Sequence, residues 1–148
     1  MTAAKRARRK KYYTATEANA TLPLLRSILR DVTALASELK ERHERLSRVQ
    51  APARGERPAD AYQEELHQMQ AEFERGQERM QEYLDELQKL GVELKDPYTG
   101  LVDFPSILDD HEVYLCWRLG EPEVAHWHDL DAGFAGRQKL APAGATKR

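Results

Sequence analysis

The chain has 148 residues, 41% of them apolar and 32% charged, with a mean hydropathy of -0.76, which suits one domain or one domain with an extension and is too polar for a thick globular core. No run approaches the roughly 18 to 20 apolar residues that cross a bilayer, and the stretch behind the basic N-terminus is polar, which excludes a signal-peptide core; the expected location is the cytoplasm, with no membrane partner. Net charge is -2 and the single cysteine, Cys116, excludes an intrachain disulfide and fits a reducing compartment.

In chain order, residues 1–12 form a basic arm. Lys5, Arg6, Arg8, Arg9, Lys10 and Lys11 carry +6, so the remainder carries -8. The arm reads as a disordered, solubilising terminus. Weak nucleic-acid contact through counterion release is the alternative, although no aromatic residues interleave with the charges.

Residues 13–90 read as a helical hairpin. Thr14-Ala-Thr-Glu17 has capping-box spacing. Pro23 would clash with the Asn19 carbonyl in a continuous helix, so a short turn over 14–21 and a restart near Pro23 are expected. Leu22, Leu25, Leu29, Val32, Ala36, Leu39, His43 and Leu46 then recur at steps of three and four, widened by Ile28 and Leu35. That is the period of a coiled-coil seam. Ala51 to Asp60 holds two prolines and a glycine and reads as the connecting loop. The second seam is Tyr62, Leu66, Met69, Phe73, Gly76, Met80, Tyr83, Leu87 and Leu90, and Gly91 stands where a left-handed cap would end it. Similar lengths and a short loop predict antiparallel pairing. Gly76 marks either a close helix approach or a weak spot, and His43 reads as a tolerated polar position. The apolar width of the seams, with Ile28, Leu35 and Leu84, exceeds a two-helix interface, so the inner half is expected to pack on the following segment or on a second copy as a homodimer. The hairpin can also present itself to a protein partner.

Residues 91–140 change period from helical to alternating. Val92–Lys95, Leu101–Phe104, Glu112–Leu119 and Glu123–His128 are separated by turn-forming residues, which predicts a small antiparallel meander of three or four strands packed at the hairpin base. From Gly133 onward the chain reads as loop with at most a brief turn, and 141–148 as a disordered tail. The fold class is therefore α+β, mainly α.

The concentrated chemistry lies in this last segment. With Arg118 opposite Val124, Cys116 faces His126 and Tyr114 faces His128 on one surface. A His-x-His pair with a facing thiolate is workable ligand geometry for zinc or another soft divalent ion, and Asp103 can add an oxygen. Three protein ligands with an open position could activate water. The bland reading is a small buried cysteine and histidines packed with satisfied polar tips. Gly133-x-x-Gly-Arg137 can offer amides and a guanidinium to an anion. Asp103 with Glu121 is a candidate acid/base pair, and Cys116 with His126 a candidate nucleophile and base, though no oxyanion donor is identifiable.

Tyr13-Thr-Ala-Thr-Glu-Ala-Asn-x-x-Leu-Pro23, Gly91-Val-Glu-Leu-Lys-Asp96, Gly100-Leu-Val-Asp-Phe-Pro105, Leu115-Cys-Trp-Arg-Leu-Gly-Glu121, Trp127-His128 and Gly133-x-x-x-Arg137 together resemble the bacterial family DUF2203 over about residues 12–140. The resemblance implies a bacterial cytoplasmic origin and no defined chemistry. It adds weight to Asp103, Trp117, Glu121 and Arg137 as ligand-binding residues, and to Cys116 and His128 beside His126 as metal ligands. The leading expectation is a ligand- or metal-binding module with the hairpin as scaffold. The alternatives are an interaction protein working through its hairpin, and a metal- or cysteine-dependent enzyme.

Overall fold

The computed structural model describes residues 11–50 and 59–141. Residues 1–10 of the basic arm, the interhelix loop at 51–58 and residues 142–148 lie outside the described residues, and so do the expectations made for them.

Helix α1 (Ala15–Ala20) starts on the capping box. The Thr14 hydroxyl accepts from the Glu17 amide, and the Glu17 carboxylate accepts from the Thr14 amide. Helix α2 (Leu22–Gln50, 29 residues) restarts immediately after Thr21. Pro23 sits in its first turn, where a missing amide hydrogen forfeits no intrahelical bond. Helix α3 (Ala59–Leu90, 32 residues) returns beside it. At 1.5 Å per residue the two are about 44 and 48 Å long.

Helix α3 ends as its glycine foretold. The Val92 amide bonds the Leu87 carbonyl and the Gly91 amide bonds the Gln88 carbonyl, with Gly91 at φ 83°. This is a Schellman cap, and its accompanying apolar contact is between Leu87 and Val92, both in the core.

The base of the hairpin is the better buried half. Leu22, Leu25, Leu29 and Val32 share one core with Leu87, Val102, Phe104, Leu115 and Trp117. Ile28 and Leu35 are buried within the chain, and Leu84 is half-buried. Gly76 is a point of close approach: a Cβ there would stand 2.5 Å from Leu39 Cδ2. His43 is exposed, its ring 5.7 Å from that of Phe73.

The sheet has five antiparallel strands, one or two more than expected. They run β1 (Glu93–Asp96), β2 (Leu101–Leu108), β3 (His111–Arg118), β4 (His126–Asp129) and β5 (Gln138–Lys139), in spatial order of sequence. A short 3-10 turn (Phe134–Gly136) precedes β5, the brief turn expected there; the strand after it was not. Two residues are too few to show a period of two in sequence. Asp109 and Asp110 both have positive φ, 51° and 68°, which makes the β2–β3 connection a two-residue primed turn. It sets Leu108 opposite His111 and, further back, Asp103 opposite Cys116.

Pro105 lies inside β2 without breaking it. Its carbonyl accepts from the Tyr13 amide, so its nitrogen also faces away from β3 and forfeits no ladder bond. Tyr13 fastens the N-terminal segment there: its hydroxyl donates to the Leu90 carbonyl, and its own carbonyl accepts from Ser106 Oγ. No helix among the described residues is long and apolar enough to cross a membrane.

Candidate metal centre

Alternation divides the sheet into two faces. Val102, Phe104, Leu115 and Trp117 point to the helices and the core. The intervening residues therefore point the other way. On that face Glu93 pairs with Asp103, Asp103 with Cys116 and Cys116 with His126, a single row across four strands. In the next row Tyr114 pairs with His128, so the expected strand register is the observed one.

Three side chains of this polar face are withdrawn from water. Asp103 is 2% exposed, Cys116 0% and His128 2%. His128 Nε2 lies 3.1 Å from each carboxylate oxygen of Asp103. To reach β2 from β4 the ring must cross β3, and it passes Tyr114 with ring centroids 5.6 Å apart. The other ring nitrogen, Nδ1, is 2.8 Å from the Asp129 carbonyl. A carbonyl only accepts, so Nδ1 carries a hydrogen and donates it. Nε2 is then the nitrogen available to a metal, and a histidine held through its other N–H to a carbonyl is the usual supporting arrangement for a ligand.

One oxygen of Asp103, Cys116 Sγ and a nitrogen of His128 all lie within 4.8 Å of one another. Tetrahedral zinc holds such donors roughly 3.3 to 3.7 Å apart, so small side-chain rotations separate this group from a coordination shell. Burial raises the Asp103 carboxyl above its ordinary value, opposed by His128 and Lys95. Burial likewise pushes the Cys116 thiol up to about 11, against the pull of Arg137. A buried neutral thiol is a poor nucleophile, whereas a bound cation deprotonates a coordinating thiol outright. The chemistry therefore favours coordination over a free cysteine nucleophile.

The remaining predicted residues fall elsewhere. His126 lies across from Cys116 but is outside the converging group, and its Nδ1 is buried with no hydrogen-bond partner. Trp117 is fully buried on the opposite, helix-facing side. Its indole N–H donates to the Glu121 carbonyl, and Arg26 lies over its ring. Glu121 and Arg137 form a two-bond ion pair, in which Glu121 also accepts from the Arg118 amide. Burial alone would raise the Glu121 carboxyl, but the bonds from Arg137 and Arg118 outweigh it and hold it below its ordinary value. Arg137 also donates to Cys116 Sγ at 3.7 Å and stacks on Phe134. Glu121 and Arg137 thus bind the C-terminal segment to the sheet beside the group.

A pocket of about 300 Å³ opens over the group, lined by Lys95, Leu101, Asp103, Tyr114, His128 and the segment Leu130 to Phe134. Cys116 does not line it, so the sulfur stands behind the carboxylate and the imidazole.

Sequence reasoning placed Asp103 among ligand-binding residues, with only an auxiliary oxygen for a metal, and gave His126 equal rank with His128. One local signal could have promoted Asp103. A two-residue turn at Asp109-Asp110 sets the register to its neighbours, which places Asp103 opposite Cys116. No local signal reveals that the His128 ring, rather than that of His126, crosses β3.

The chain belongs to the family described as uncharacterized conserved protein (DUF2203), whose model matches residues 11–140. No curated protein and no solved structure matches it.

Proposed function

We propose that this DUF2203 protein is a metal-binding module that holds one divalent cation with Asp103, Cys116 and His128. The observation that carries this reading is the convergence of three buried donors of different type, with ligand atoms within 4.8 Å of one another. A carboxylate, a thiolate and an imidazole together suit zinc better than magnesium or calcium, which take oxygen donors. Three protein ligands leave one position of a tetrahedral shell free, the pattern of a reactive rather than a purely structural zinc. The helical hairpin acts as the scaffold: its base supplies the apolar floor on which the sheet presents these residues.

The test is metal titration of protein prepared without an affinity tag and stripped by chelator. One equivalent of zinc should bind and raise the melting temperature; at one hundred times Kd the gain is about 2.7 kcal/mol. Asp103→Ala, Cys116→Ala and His128→Ala should each weaken binding at least tenfold with the circular dichroism spectrum retained, and His126→Ala should not. No stoichiometric metal, together with a melting temperature that chelator leaves unchanged, would remove the proposal.

A further inference from the structure

We infer that the pocket over the metal group is a binding site for a small monocarboxylic acid with a short apolar chain, which coordinates the cation through its carboxylate. The inference rests on the metal reading above. Asp103 and His128 form the pocket floor while Cys116 lies behind them. The side of a bound cation left open by its three protein ligands therefore faces the pocket. The ligand that completes such a shell is an anion or water.

The walls select among anions. Lys95 stands at the rim, 44% exposed, with its ammonium 3.1 Å from Glu93 and 5.5 Å from the centroid of Tyr114. It lies near enough to act on the Asp103 charge, and so also near a carboxylate bound at the metal. Leu101, Leu130 and Phe134 line the same pocket. Leu130 and Phe134 are among the most exposed large apolar side chains of the described residues, at 46% and 37%. Exposed apolar groups gathered at a pocket with a few convergent polar groups mark a ligand wall. At about 300 Å³ the pocket lies at the small end of ligand sites, which suits a compact acid. The lining also holds Asp131, and Lys95 is paired with Glu93, so the open position of the cation is what selects a carboxylate, and the apolar wall favours a hydrocarbon body over inorganic phosphate.

The experiment uses the full chain loaded with cobalt(II), whose visible absorption reports its ligands. A thiolate-to-cobalt charge-transfer band first establishes that the metal is bound at Cys116. Acetate, butyrate, inorganic phosphate and butylamine are then titrated. Butyrate should shift the cobalt bands and bind at least tenfold tighter than acetate and phosphate, and butylamine should leave them unchanged. Lys95→Met should weaken both acids, and Leu130→Ser should remove the preference for butyrate; both positions are exposed, so the fold is retained. With the charge-transfer band present, no response to butyrate, or equal affinity for acetate and butyrate, overturns the carboxylate site and leaves the metal reading standing. Absence of the band overturns the metal reading and this inference with it.

Discussion

His128 on β4 meets Asp103 on β2 across the width of the intervening strand, with Nε2 3.1 Å from both carboxylate oxygens and both residues 2% exposed. The Asp129 carbonyl takes the Nδ1 hydrogen, so the contact at Nε2 holds a second proton, on the ring or on the acid. That proton is what a cation would replace.

Replacing Asp103 separates hydrogen bonding from charge. Asp103→Leu leaves Nε2 without a partner in a dry site and should cost about 1–3 kcal/mol in metal-free protein. Asp103→Asn can donate its amide hydrogen to Nε2 and should cost less than about 1 kcal/mol, while still losing metal affinity. Urea unfolding midpoints of the two variants measure the difference. Equal losses would show that the contact contributes no hydrogen bond.

Cys116 should be chemically silent in the folded, metal-free protein. A thiol raised from 9.0 to about 11 has about a hundredfold less thiolate at pH 8, before its burial further slows attack. Reaction with a disulfide reagent should therefore be at least a hundredfold slower than in denaturant. The thiol's contribution to stability is present below its unfolded value and is lost as pH rises through about 11. A fast, stoichiometric reaction of folded protein at pH 8 would contradict the buried placement.

The Glu121–Arg137 pair predicts an acid-sensitive anchorage of the C-terminal segment. Despite its burial, the bonds from Arg137 and the Arg118 amide hold the folded carboxyl below its ordinary value. Its contribution is therefore present above the unfolded value and is lost as pH falls through the lower folded value. Wild type should exceed Glu121→Gln in stability by a constant margin above about pH 6, and the margin should vanish in acid. Chemical unfolding of both forms across this range measures it; a margin that persists in acid would place the effect in packing rather than charge.

Gly100 carries the turn that brings β2 back beside β1. Its φ is 75°, and an added Cβ would come 2.8 Å from Leu119 Cβ and 3.4 Å from Thr33 Cγ2. The first contact is with an atom next to the backbone and yields little. Gly100→Ala should cost about 1–2 kcal/mol for the left-handed backbone plus the strain of that contact. Thermal melting tests it, and an unchanged melting temperature would show that the turn can rearrange.

Much of the fold was legible because its signals are local. The capping box at Thr14, the restart at Pro23, the two seams and the cap at Gly91 each depend on residues a few positions apart. So do the turns that bound β1 to β4 and the register that sets Cys116 opposite His126. The fifth strand was missed because Gln138–Lys139 is too short to show a pattern and forms only where β4 offers an edge. Gly76 was ambiguous until Leu39 was seen against it, since a gap in a seam carries no sign of what lies opposite.

The candidate site divides in the same way. Which residues share the polar face follows from alternation and turn length, so the sequence by itself determined that Asp103, Cys116, His126 and His128 lie on one surface. Only the tertiary structure decided which of them converge. The rotamer that carries His128 over β3 to Asp103 is held by the Asp129 carbonyl, and Arg137 reaches Cys116 Sγ from the C-terminal segment. The three donors stand 12 to 25 residues apart in the chain, and their convergence is set by packing rather than by any local period.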